Sequence, residues 1–102
     1  MAQRSDVERY RENRQDEIDS AAQYGAMAAS EPDPKIAKVY SNLAKMEEAH
    51  IAFWEDRLRS AGETVGERRP SWRSRVIAWI ILAWAAGHSP LGSCRSRRVS
   101  GN

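Results

Sequence analysis

The stretch Ser30-Glu31-Pro32-Asp33-Pro34 divides the first sixty residues of the chain into two segments of helical character. Proline lacks a backbone N–H and its ring clashes with the preceding turn, so two prolines this close together end a helix. Asp33 followed by Pro34 is also a typical helix start, with aspartate as the N-cap and proline at the first helical position. The sequence therefore predicts a sharp turn here, with one helix on each side.

The flanking segments carry their own start and stop signals. Ser5 or Asp6 can cap a first helix, and a second helix runs from about Pro34 to Ser60 before Gly62 ends it. Because the link is short, the two helices must pack as an antiparallel hairpin, each about 35–40 Å long at 1.5 Å per residue. Internal repeats and strand-like alternation are absent from the sequence, so the predicted class is all-α.

The character of the chain changes after the hairpin. The predicted organisation is a helical hairpin at 5–61, a polar linker at 62–70, a short apolar helix at 71–86 and a tail at 87–102. The tail is rich in Gly, Ser, Arg and Pro, a composition that predicts disorder. We therefore expect one small helical domain with an apolar C-terminal helix.

Composition and charge exclude some classes of protein. The 102 residues are 41% apolar and 29% charged, which is typical of one small globular domain. The net charge of +2 hides an asymmetry, because residues 1–62 carry 9 basic and 12 acidic groups whereas residues 63–102 carry 7 basic and 2 acidic groups. A dedicated nucleic-acid-binding domain spreads its Lys and Arg over the folded face, so we expect no nucleic-acid partner.

Cysteine use and apolar runs bear on the location of the protein. The single cysteine, Cys94, cannot form an internal disulfide, a CxxC redox pair or a Cys-based zinc site. The N-terminus begins with charged residues rather than an apolar signal core. The longest apolar run, 76–86, has eleven residues, where a membrane span needs roughly 18–20. We therefore expect a cytoplasmic protein, with attachment to the cytoplasmic face of a membrane as the alternative.

Each predicted long helix has one face that its spacing marks as the core. On the first helix this face comprises Tyr10, Asn13, Glu17, Ala21, Tyr24 and Ala28. On the second helix it comprises Ile36, Val39, Tyr40, Leu43, Met46, Glu47, His50, Phe53, Trp54 and Leu58. Three ionisable side chains therefore stand in the middle of these faces. Burying a carboxylate costs several kcal/mol unless it is paired or bound to a cation.

The spacing of the three ionisable residues predicts a metal site. In Glu47-Glu48-Ala49-His50 the first glutamate and the histidine are three residues apart, so both lie on the same side of a helix. Glu17 and Glu47 lie 15 residues to either side of residue 32, so antiparallel packing brings them to about the same level. One hairpin thus offers two carboxylates and an imidazole to one metal ion. Two hairpins would form a four-helix bundle with two such sets.

This pattern resembles the ferritin-like superfamily, in which a glutamate on one helix and Glu-x-x-His on the next form half of a carboxylate-bridged di-iron site. The stretches 9–21 and 47–54 are most similar to the rubrerythrin-type domain of membrane-bound ferritins. The resemblance covers about residues 7–62 and implies that the hairpin is half of a ferritin-like bundle.

The resemblance also implies a role for individual residues. Glu17 would be the ligand from the first helix, Glu47 the bridging carboxylate and His50 the terminal imidazole ligand. Tyr24, two turns beyond Glu17, matches a tyrosine that encapsulated ferritins place beside the metals. These four residues form the predicted catalytic set.

The chain carries the ligand motif once, whereas a full ferritin-like bundle carries it twice. The resemblance therefore implies a homodimer or a higher even oligomer with a di-iron centre shared between subunits, as in the encapsulated ferritins. It implies Fe²⁺ and dioxygen or peroxide as reactants, and Mn and Zn accept the same ligands. Because the chain has no CxxC pair for a rubredoxin-type iron centre, oxidation or sequestration of Fe²⁺ is favoured over rubrerythrin-like peroxide reduction.

The C-terminal part of the chain departs from the resemblance. Membrane-bound ferritins continue into a membrane domain of the vacuolar iron transporter type. In this chain the expected continuation is replaced after Trp79, and Gly87-His88-Ser89-Pro90 and an Arg/Ser-rich tail follow. This departure indicates a truncated or frame-shifted relative. The apolar helix and the arginines before it form either a membrane-surface contact through 68–86 or a cover for a protein surface.

A second interpretation of the same chain is non-enzymatic. A helical hairpin can serve only as a dimerisation or adaptor module, with residues 70–86 as its docking helix. The three ionisable groups would then be a polar patch inside a structural hairpin. This interpretation predicts that the protein takes up no metal.

Overall fold

The computed structural model describes residues 3–87, and the regular elements in that range are three α-helices without any strand. Helix α1 spans Arg4–Ser30, α2 spans Pro34–Ser60 and α3 spans Trp72–Ala85. The all-α prediction is therefore confirmed. The tail that composition predicts to be disordered lies, except for Gly87, outside the described residues.

Local capping explains where the two long helices begin and end. Helix α1 begins slightly earlier than predicted, because Gln3 takes the N-cap position and its backbone N–H donates to Asp6 Oδ2 (3.4 Å). Helix α2 begins where predicted, since Asp33 Oδ1 accepts a hydrogen bond from the N–H of Lys35 (2.9 Å). It ends just before Gly62, whose φ of +81° lies in the left-handed region that favours glycine.

The two long helices pack antiparallel. The ring of Tyr10 stacks on that of Trp54 with centroids 5.8 Å apart. Glu17, about two turns further along α1, contacts His50, about one turn earlier in α2. Residues later in α1 thus meet residues earlier in α2, as the short link requires, and the middles of the two helices lie side by side.

The core face of α1 differs from the predicted one. The buried residues of the hairpin are Arg14, Ile18 and Ala26 on α1 and Ile51, Glu55 and Leu58 on α2. The members of the predicted α1 face are only half-buried, so this prediction was wrong by about one position. The physical reason is that α1 is covered on two flanks, by α2 on one side and by the segment that follows α2 on the other.

The predicted core face of α2 is only partly covered. Four of its apolar side chains are 43–56% exposed, namely Ile36, Val39, Met46 and Phe53. The prediction that the whole stripe is core was wrong, because one neighbouring helix covers only one flank of so wide a stripe. The four residues and the exposed His50 recur at the three-, four- and seven-residue intervals of a coiled-coil contact. We call these five residues the α2 seam.

Most of the polar linker predicted at 62–70, together with Ser71, is fixed along α1, and we call residues 63–71 the strap. Arg11 Nη2 donates a hydrogen bond to Glu63 Oε1 (2.7 Å), and Gln15 Nε2 donates to the Arg69 carbonyl (2.9 Å). The partner on the strap moves from residue 63 to residue 69 as the partner on α1 moves from residue 11 to residue 15. The strap therefore runs in the same direction as α1. It brings the start of α3 back towards the middle of the hairpin.

A buried ion-pair cluster joins the strap to both helices of the hairpin. Glu55 Oε2 accepts a hydrogen bond from Arg14 Nε (2.9 Å), and the two oxygens of Glu55 accept from Arg68 of the strap (2.8 and 3.0 Å). Arg14 also donates to the Gly66 carbonyl (2.7 Å). The hydrogen bonds from Arg68 and Arg14 outweigh the effect of burial and lower the pKa of Glu55 to about 2.

Helix α3 is fastened to α1 at its first turn. Asp19 accepts hydrogen bonds from the backbone N–H and the hydroxyl of Ser71, the N-cap of α3 (2.8 and 2.7 Å). The buried hydroxyl of Ser74 donates to the Asp19 carbonyl (3.1 Å). Most other side chains of α3 are apolar and exposed. Across residues 3–87, no helix has the length and apolarity that crossing a membrane requires.

Candidate metal centre

The two long helices bring three potential metal ligands together at the middle of the hairpin. Glu17 projects from α1, and Glu47 and His50 project from neighbouring turns of α2. His50 Nδ1 lies 2.9 Å from Glu17 Oε2 and 3.1 Å from Glu47 Oε1. One ligand atom from each residue falls within 4.8 Å of the other two. The register predicted from the turn thus places these three side chains at one point.

The cluster is closed on one side and open on the other. The side chain of Glu47 is 15% exposed, that of Glu17 is 23% exposed and that of His50 is 54% exposed. The two carboxylates therefore lie within the contact between the helices, whereas the imidazole lies at the surface, in the α2 seam. An ion can reach the carboxylates from the His50 side.

The electrostatics of the cluster favour the arrival of a cation. Burial raises the pKa of Glu17, and the negative charge of Glu47 and a hydrogen bond with it raise the pKa further. His50 lowers the pKa of Glu17, but it does not offset these effects. A single imidazole nitrogen faces both carboxylates. The two carboxylates therefore keep an excess of negative charge that a bound divalent ion would neutralise.

The chemistry of the donors fits a first-row transition metal. Carboxylate oxygens are hard ligands and the imidazole nitrogen is a borderline one, a combination that binds Fe, Mn and Zn. Three protein ligands leave further coordination positions for water, a reactant or groups from a second chain. Glu17, Glu47 and His50 could therefore hold a catalytic ion or an ion in transit.

Tyr24, the fourth member of the predicted catalytic set, is not part of the cluster. It is half-buried and lies seven residues beyond Glu17, which is about 10 Å along the axis of α1. Within the part of the chain that the structure describes, its hydroxyl makes no hydrogen bond and its ring stacks on no other ring. A role for Tyr24 in catalysis stays a prediction.

Sequence reasoning missed the ion-pair cluster of Arg14, Glu55 and Arg68. A signal was present on α2, because Ile51, Glu55 and Leu58 are four and three residues apart and Glu55 therefore lies in an apolar stripe. Arg68 carries no such signal, since a charged residue in a polar segment looks solvent-exposed. Its partner is defined only when the strap folds back onto the hairpin.

Comparisons of the chain with protein-family models, with curated proteins and with solved structures give no significant match. The resemblance to the ferritin-like superfamily therefore stays a prediction from the residues that carry it. The geometry of the metal cluster is the independent basis for assigning a function.

Proposed function

We propose that this chain binds Fe²⁺ through Glu17, Glu47 and His50 and that a pair of chains oxidises the bound iron, with dioxygen or peroxide as the electron acceptor. One observation carries this proposal: three ligand atoms of suitable chemistry, from two helices, lie within 4.8 Å of one another. The excess negative charge of the two carboxylates supports the binding of a cation at this point.

Each ligand would contribute differently to iron oxidation. Glu17 and Glu47 supply hard oxygen ligands, which favour Fe³⁺ over Fe²⁺, whereas the neutral imidazole of His50 helps to retain Fe²⁺. Glu47 is the least exposed of the three and is the one best placed to stay fixed while reactants exchange. Two Fe²⁺ ions would give up one electron each, so two sites together would reduce one dioxygen, with the uptake of two protons, to one hydrogen peroxide.

The α2 seam supports a pair of chains as the working unit. Its apolar members, Ile36, Val39, Met46 and Phe53, are about half exposed and recur at the intervals of a coiled-coil contact. A second copy packed on the same seam would cover these side chains and form a four-helix bundle. His50 belongs to the seam, so the second copy would bring its own three ligands towards the first set.

Two other functions are compatible with the hairpin. The seam would serve equally well in a dimerisation or adaptor module that binds no metal. A metal centre with an external electron donor could instead reduce peroxide, as rubrerythrins do. The two alternatives differ from iron oxidation in metal uptake and in the need for a reductant, and one experiment separates all three.

We expect anaerobic titration of the purified 102-residue chain with Fe²⁺ to load one iron per chain in a dimer, measured by native mass spectrometry and metal analysis together. Admission of air should then produce the near-ultraviolet absorbance of Fe³⁺. Glu47→Ala should abolish both, because it removes the innermost ligand. Glu48→Ala is the matched control, since it removes the same charge from the exposed neighbouring position.

An intact dimer that takes up no iron would overturn the proposal in favour of the adaptor module. Iron uptake without oxidation in air, followed by turnover of peroxide when a reductant is added, would favour peroxide reduction. Equal loss of iron in Glu47→Ala and Glu48→Ala would show that binding depends on general surface charge rather than on the cluster.

A further inference from the structure

The exposed face of α3 is a feature that the proposed function leaves unexplained. Seven large apolar side chains are 37–71% exposed on this helix, and we call them the α3 surface: Trp72, Val76, Ile77, Trp79, Ile80, Leu82 and Trp84. A contiguous apolar area of this kind marks a site of contact with another protein or with a membrane.

We propose that α3 binds to an anionic lipid surface and lies in the plane of the interface beside α1, with its arginines at the headgroups and its exposed apolar side chains among the outer parts of the acyl chains. This assignment rests on three properties of the helix. They are the distribution of its apolar side chains, the position of its charges and the lack of charge in the part of α1 beside it.

The apolar side chains of α3 surround most of the helix rather than one face. The only buried residue of the helix is Ser74, which faces α1. A flat protein partner would cover one more side and leave other apolar side chains in water, whereas lipid contacts every side that α1 leaves open. The distribution therefore favours a lipid environment over a second protein.

The charges of this region lie at one end of the helix and have one sign. Arg68, Arg69, Arg73 and Arg75 precede the apolar run, and residues 68–87 contain no acidic side chain. Arg68 and Arg69 pair with Glu55 and Glu67. Arg73 and Arg75 have no carboxylate within ion-pair distance in the described part of the chain, so they are available to anionic headgroups.

The surroundings of α3 suit a helix that lies in the membrane interface. Such a helix buries its apolar side chains about 5–10 Å deep and keeps its charges at the headgroups. Trp72 lies at the charged end under the guanidinium of Arg73 (5.7 Å), the environment that tryptophan prefers at a membrane interface. Residues 20–30, which follow the attachment point Asp19 in α1, carry no charged side chain, and the charges of the next turn, Glu31, Asp33 and Lys35, stay in water when α3 lies in the plane of the interface.

The test measures binding of the 102-residue chain to vesicles of phosphatidylcholine alone and of phosphatidylcholine mixed with phosphatidylglycerol, by co-sedimentation at low salt. We expect binding to the mixed vesicles and much weaker binding to the neutral ones. Arg73→Gln with Arg75→Gln should weaken binding about 30-fold, since each basic residue near an anionic surface contributes about fivefold. The matched control, Arg57→Gln with Arg59→Gln, removes two arginines of α2 and should leave binding unchanged.

A second pair of variants tests insertion of the apolar part. Trp79→Ser with Trp84→Ser should weaken binding more than tenfold, because two large apolar side chains no longer leave water. Both side chains are more than half exposed, so their loss leaves the packing of the hairpin intact. Ala52→Ser, at an exposed apolar position on α2 outside the seam, should bind as the original chain does.

Three outcomes would overturn the assignment. The first is absence of binding to mixed vesicles. The second is binding that persists in the Arg73 and Arg75 variant but is lost when Arg95, Arg97 and Arg98 of the tail are replaced by Gln. The third is self-association of the chain that the Trp79 and Trp84 variant abolishes without any vesicle binding, which would make the α3 surface a protein contact.

Discussion

Glu55→Ala is expected to destabilise the folded chain by about 3–5 kcal/mol, the range found when one partner of a buried ion pair is removed. The side chain of Arg14 is only 11% exposed, and Glu55 is its anionic partner. Without that carboxylate the guanidinium of Arg14 stays buried with its charge uncompensated. The same substitution also removes both hydrogen bonds from Arg68, so the strap keeps only the backbone hydrogen bond from Glu63 to the Leu58 carbonyl as a hydrogen bond to α2.

Urea unfolding followed by circular dichroism measures this loss. The matched control is Asp56→Ala, which removes a carboxylate at the next position, where the ion pair with Arg59 is exposed and has an N–O distance of 3.5 Å. Exposed pairs of this kind contribute about 0–1 kcal/mol, so this variant should unfold close to the original midpoint. Equal midpoints for the two variants would mean that the buried cluster contributes no more than a surface pair.

The dependence of stability on pH provides a second readout of the same cluster. The pKa of Glu55 is lowered from 4.5 to about 2 in the folded chain. A lowered folded-state pKa gives stability that is complete above the unfolded pKa and is lost as the pH falls through the folded one. We expect about 3 kcal/mol to disappear between about pH 5 and pH 2, at 1.36 kcal/mol per pKa unit. Glu55→Gln should remove this part of the acid dependence.

Glu17→Gln is expected to change stability in opposite directions with and without metal. Without metal the variant should be the more stable chain, because burial and the charge of Glu47 disfavour ionised Glu17 in the folded state. With metal at 100 to 1,000 times its dissociation constant, the original chain should gain about 3–4 kcal/mol and the variant should gain little. The order of the two unfolding temperatures should therefore reverse.

Thermal unfolding in the presence and absence of Zn²⁺ tests this reversal without redox chemistry. Glu12→Gln is the control, since it neutralises an exposed glutamate on the same helix outside the cluster. That variant should follow the original chain in both conditions. Equal stabilisation of the Glu17 and Glu12 variants by Zn²⁺ would place the binding site elsewhere. A loss of stability for Glu17→Gln without metal would mean that Glu17 is a structural partner of His50 instead.

Local rules in the sequence were sufficient to predict the hairpin of two long helices. They were also sufficient to predict that the ligands on α1 and α2 lie at the same height along the hairpin. Asp33 and Pro34 determine where α2 begins, and Gly62 determines where it ends. Once the turn is fixed, the rise of 1.5 Å per residue places Glu17 opposite Glu47 with no further information. This is why the approach of the three ligands could be predicted, although none of them lies close to the turn.

Burial could not be predicted in the same way, because it depends on which flank of each helix finds a neighbour. The apolar stripe of α2 is wider than one helix can cover, and periodicity alone does not tell that Met46 and Phe53 stay exposed while Ile51 is buried. The contacts of the strap were even harder to predict than the burial of the α2 stripe. Arg69 and Ser71 contact α1 residues more than fifty positions away, and the strap that carries them contains one apolar residue besides proline, Val65, which is too few to predict a buried face.

The position of Glu55 has a consequence for how the chain loses its structure. The carboxylate of Glu55, on α2, accepts hydrogen bonds from Arg14 of α1 and from Arg68 of the strap, so it joins three segments of the chain. Release of the strap exposes the same buried charge that holds the two long helices together. We therefore expect α1, α2 and the strap to unfold as one cooperative unit, and α3, which Asp19 fastens to α1, to lose its structure when α1 does. Circular dichroism and tryptophan fluorescence should then report coincident transitions in urea.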